Sequence, residues 1–132
     1  MKMKYGPVPI LFVLSGAVAA HAPARIEPES MHPLQAKMER DDAAFTRCIV
    51  AAVPRIENGV SPEAGAESIM RGCDREWQAA MQSTEAWIAT LPEAQRTQAA
   101  ALLQSEVANA PVEMRAEIAA MIRRHREDAA AR

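Results

Sequence analysis

Apolar positions recur along this chain at helical spacing and stop at a few well-marked breaks. Leu34, Met38, Asp41, Phe45, Cys48 and Ala52 are separated by alternating fours and threes, the spacing of a helix seam packed on a neighbour. Ala66, Met70, Cys73, Trp77, Ala80, Thr84, Trp87 and Leu91 repeat the pattern. Asn58-Gly59 and Ser61-Pro62-Glu63 lie between the two runs. The first reads as a helix stop, with glycine free to adopt the left-handed cap conformation. The second reads as a helix start: a hydroxyl cap, proline in the first turn, then an acid near the positive end of the helix.

The pattern predicts helix A from Pro33 to Val53 or Asn58, with Pro54 kinking or ending it, and helix B from Pro62 to Thr90. Leu91-Pro92 ends helix B, because the residue before proline is pushed out of the helical region. Helix C is expected from Pro92 to Ala108, with Ala99, Ala100, Leu103 and Val107 as its stripe. Asn109-Ala110-Pro111 reads as another break, and helix D then runs to the C-terminus. Pairing C against D about Ala110 would set Leu103 on Ile118 and Val107 on Met114. The fold class is therefore all-α, a small bundle of about four helices within a single domain over residues 33–131.

Folding helices A and B antiparallel about their loop sets Cys48 opposite Cys73. The same register sets Phe45 opposite Trp77, Ala52 opposite Met70, Met38 opposite Thr84 and Leu34 opposite Trp87. Seam spacing and cysteine symmetry agree on one pairing. A disulfide needs Cα atoms about 4.4–6.8 Å apart, closer than most packed helices allow. Ala44, Ala51, Ala52 and Gly72 flank the thiols and are small enough to permit that approach. The expectation is a disulfide-stapled hairpin; two separate buried thiols are the plainer reading. Asp41, the charged residue in the seam, either pins the register opposite Ala80 or turns to the rim beside Arg40 and Asp42.

The N-terminus supplies the compartment. Met1-Lys2-Met3-Lys4 is basic, Pro7 to Ala20 is short and apolar, and Val18-Ala19-Ala20 suits signal peptidase. Residues 1–20 read as a signal peptide, too short to span a bilayer. Ala17 stands where lipidation would need cysteine, so no stable membrane anchor is expected. Residues 21–32, punctuated by Pro23 and Pro28, read as a disordered leader. A periplasmic or secreted location favours disulfide formation. Cleavage after Ala20 removes Lys2 and Lys4 and takes the formal charge from −2 to −4, which argues against a nucleic-acid partner. The remaining chain holds one Phe and two Trp among many alanines, so its core is thin and a covalent staple matters.

Leu91-Pro92-Glu93-Ala94-Gln95-Arg96, preceded here by Thr90 and followed by a leucine-bearing helix, resembles the helix-opening motif of the Spy/CpxP group of periplasmic proteins. The resemblance covers about six residues. It implies an all-helical fold and a chaperone or envelope-stress role.

The chain carries no glycine-rich phosphate loop, no Cys-x-x-Cys and no His-Glu-x-x-His, and no serine in a nucleophile-elbow context. Neither catalysis nor a cofactor is expected. The leading expectation is a binding protein, chaperone-like or of the inhibitor or immunity type, that docks another exported protein. Its expected contact residues are Met114, Ile118, Met121 and Ile122 on helix D, since methionine-rich faces adapt to partners. The rival readings are a purely structural envelope component and a copper-binding protein. In the latter, His21 as first residue would chelate through its amine and imidazole, with His32 as a further nitrogen.

Overall fold

The computed structural model of the protein describes residues 32–132. The segments expected as signal peptide and leader, up to Met31 and including His21, lie outside the described residues. The described chain is all-α: α1 spans Pro33–Ala52, a 3₁₀ turn Val53–Arg55 follows, and α2 (Pro62–Gly72), α3 (Asp74–Ile88) and α4 (Glu93–Ala130) complete it.

Local chemistry sets most of the boundaries. Pro33 opens α1, and the His32 imidazole caps it, Nδ1 accepting the Leu34 N–H at 3.1 Å. Pro54 lacks an N–H to continue the ladder, so the α-helix gives way to the 3₁₀ turn there. Gly59 does not provide the expected left-handed cap, because no described glycine has positive φ. Proline has already ended the helix, and Gly59 sits in a turn closed by the Val60 N–H donating to the Glu57 carbonyl. Ser61 caps α2 as expected, its Oγ accepting the Ala64 N–H at 3.1 Å.

Helix B is two helices. At Cys73 the backbone departs from helical angles (φ −102°, ψ 13°), just after Gly72, the poorest helix former in the segment apart from proline. The bend is mild: the Cys73 N–H still donates to the Ile69 carbonyl, and its own carbonyl accepts the Trp77 N–H.

Helices C and D, by contrast, are one helix. α4 runs unbroken through Pro111 for 38 residues, so Leu103 and Ile118 lie roughly 22 Å apart along one axis instead of facing each other. An interior proline costs about 3 kcal/mol. Burial at both ends of α4 offsets that cost. Ala99 and Leu103 pack with Ile88, against Met81 and Leu91, while Ile118, Ala119 and Ile122 enter the main core.

α1 lies antiparallel to α3 in the expected register. Cys48 and Cys73 are joined, with Cα atoms 5.9 Å apart. The Phe45 and Trp77 rings sit 5.3 Å apart, and Met38 and Thr84 are both buried. At the open end the His32 ring meets the Trp87 ring, with centroids 5.4 Å apart. α4 covers the other side of the hairpin and packs chiefly on α2. The main core gathers Phe45, Ile49 and Val53 from the first arm, Ala66, Ile69 and Cys73 from the second, and Ile118 and Ile122 from α4. Gly65 makes that seating possible: a Cβ there would stand 2.8 Å from Ile56 Cγ2 and 2.9 Å from Ile122 Cδ1. Arg126 ties down the interhelix loop, its guanidinium donating to the carbonyls of Glu57 and Val60, each at 2.7 Å. Arg123–Glu63 and Arg115–Glu67 ion pairs add exposed links between α4 and α2, each worth about 1 kcal/mol or less.

Candidate functional site

Because α4 covers only one side of the hairpin, the opposite side carries an open groove of about 590 Å³. One wall is the α1 stripe Ala44, Arg47, Cys48, Ala51 and Ala52, continued by Arg55 of the 3₁₀ turn and by Ile56. Its other wall is Ser68, Ile69, Gly72, Cys73 and Glu76. The floor is the disulfide with its alanines, hence apolar. The arginines stand on the rim, both exposed, and neither makes an ion pair among the described residues. Glu76, the acid among the lining residues, is taken by Arg75 at 3.7 Å.

Gly72 has a different role from the one expected of it. A Cβ at Gly72 would meet nothing within 4 Å, so its small size is not what lets the thiols approach. It leaves the groove open instead.

No protein-family model, curated protein or solved structure matches this chain.

The helix D stripe is placed inward. Ile118 and Ile122 are 2% and 1% exposed, among the most deeply buried side chains in the described protein, and Met114 and Met121 pack against the same core. Amphipathic spacing identified the stripe correctly but does not say whether a second layer covers it, and α2 with Gly65 does. Of the four residues expected to dock a partner, Ile118 and Ile122 are core in this fold, and Met114 and Met121 are partly buried at its edge. Of the two histidines considered for copper, His21 lies outside the described residues, and Nδ1 of His32 is committed to the start of α1. Among the described residues, no cluster of three or more His, Cys, Asp or Glu is arranged to hold a metal.

The carboxylates near the bundle behave differently from one another. Asp41 is bonded by the Lys37 ammonium one turn back on α1. That bond, with a smaller contribution from Ser83, holds its carboxyl below the usual range despite some burial. Burial pushes Asp42 up. Glu106 is also pushed up, by burial and then by the charge of Glu113. It lines a smaller hollow of about 250 Å³ on α4 with Glu113 and Glu117.

Proposed function

We propose that this protein is an exported, non-catalytic docking module whose contact surface is the groove beside the Cys48–Cys73 disulfide. The observation that carries the reading is the groove itself: an apolar floor between two antiparallel helices, left uncovered by α4 and held open by Gly72. Two helices with a groove between them receive a third element in helix-in-groove recognition. The staple supports this role, because a covalent link under the floor keeps the walls at fixed separation and lowers the ordering cost of binding. The basic, then apolar, then small-residue N-terminus supports export, and an oxidising compartment suits the bond. None of the described helices is long and apolar enough to cross a membrane. The partner is accordingly a periplasmic or secreted protein, in a chaperone-like or inhibitory role.

Gly72→Leu tests the reading. The new side chain meets no atoms of the protein at its Cβ, so circular dichroism should match the wild type and melting should be no lower while the groove is filled. Capture of a stoichiometric partner from cell extract should then be lost. Equal capture by wild type and variant would refute the assignment.

A further inference from the structure

The groove's charges specify its occupant. Resting on the docking reading above, we propose that the groove takes an acidic helix from a partner protein, presenting two carboxylates seven or eight residues apart with small apolar side chains between them. Arg47 and Arg55 are eight residues apart on the same rim, roughly 12–14 Å along α1 and its 3₁₀ turn. A helix repeats one face at i+7 and i+8, a rise of roughly 10–12 Å, which matches that span. Both guanidiniums are exposed and without an ion pair among the described residues, as are Arg40, Arg96, Arg124 and Arg132; what sets Arg47 and Arg55 apart is that they line the groove. Guanidinium is suited to two-pronged carboxylate recognition. Between the arginines the α1 side offers the disulfide and alanines, while the polar side chains of the opposite wall are Ser68 and Glu76, the latter paired with Arg75. About 590 Å³ accommodates a few small side chains rather than a helix backbone, so the occupant lies across the rim and dips its apolar residues into the groove.

The test is a selection of displayed random helical peptides against the purified protein, sequenced before and after counter-selection on Gly72→Leu. Peptides that lose binding at least tenfold on Gly72→Leu define groove binders. Glu or Asp pairs at i,i+7 or i,i+8 should be enriched among them, and Arg47→Glu with Arg55→Glu should weaken them at least tenfold and favour Lys or Arg at those positions. Groove binders without acid enrichment, or unaffected by the charge reversal, would overturn the acidic-partner proposal while leaving the docking site standing. No groove binders at all would overturn the docking reading itself. A synthetic peptide of residues 21–31, which carries Glu27 and Glu29, serves as competitor. Displacement of groove binders by it would make the occupant this chain's own leader and overturn an external partner, as would Gly72-dependent dimerisation in sedimentation.

Discussion

Reducing the Cys48–Cys73 bond removes the one covalent link between the first arm of the hairpin and the second. The two residues are 25 apart in sequence. Closing a loop of that length in the unfolded chain accounts for about 3.5 kcal/mol through loop-closure entropy. Small domains are stable by about 5–15 kcal/mol, so the loss is a large share. For a domain of this size each kcal/mol corresponds to about 4–8 °C in Tm, which puts the expected drop at about 14–28 °C. Cys48→Ala and Cys73→Ala should each reproduce most of that drop. The double substitution should be no worse than either single one by more than about 1 kcal/mol, because one bond is removed in all three. Thermal unfolding followed by circular dichroism, with and without reductant, measures the effect. A drop under about 3 °C, or two thiols per chain reacting in the unfolded and unreduced protein, would refute the reasoning.

The two helical glycines should respond oppositely to alanine. Gly65→Ala gains about 1 kcal/mol of helix propensity but forces Ile56 and Ile122 to move at about 1–3 kcal/mol, so chemical denaturation should find it destabilised by about 1 kcal/mol. Gly72→Ala, with open space around its Cβ, should be stabilised by about 0.5 kcal/mol. Arg126→Ala should cost about 2–3 kcal/mol by freeing two charge-assisted hydrogen bonds to the loop, and Arg126→Lys should recover only part of it, since an ammonium lacks the planar fork. Asp41 and Asp42 should show opposite pH dependence in stability measured from pH 3 to 7. Asp41 sits below its ordinary 3.8, so its contribution is present above that pH and lost as pH falls; Asp41→Asn should be less stable than wild type at pH 7 and converge with it in acid. Asp42 is raised by burial, so its contribution is full below pH 3.8 and lost as pH rises; Asp42→Asn should be more stable than wild type at pH 7 and equal to it at pH 3.

The hairpin was legible because several local signals coincide. Pro54 stops one helix, Ser61-Pro62 starts the next, and the cysteines fall at matching seam positions. The continuity of α4 through Pro111 was not legible, since proline's local cost is overridden by burial at distant points of α4, around Leu103 and Ile118. The bend at Cys73 fell within an otherwise continuous seam pattern, and Gly72 was its single local sign. The candidate site was partly visible: Ala44, Ala51, Ala52 and Gly72 stood out as small residues around the thiols. That they line an open groove depends on which side of the hairpin α4 covers, a question of tertiary docking that helical periodicity does not answer. The same gap led from the Met114–Ile122 stripe to an outward surface when it faces the core. The hold of Arg126 on Glu57 and Val60 is visible only in three dimensions.

The claim that the groove is a docking surface is tested most directly by photo-crosslinking in cells producing the full chain. A p-benzoylphenylalanine replaces Ala51 or Ser68, exposed residues lining the groove, or Gln104, exposed on α4 and outside the groove residues. The account predicts one discrete adduct from positions 51 and 68, lost when Gly72→Leu is added, and none from position 104. No adduct from the groove positions, or the same adducts from all three, would contradict it.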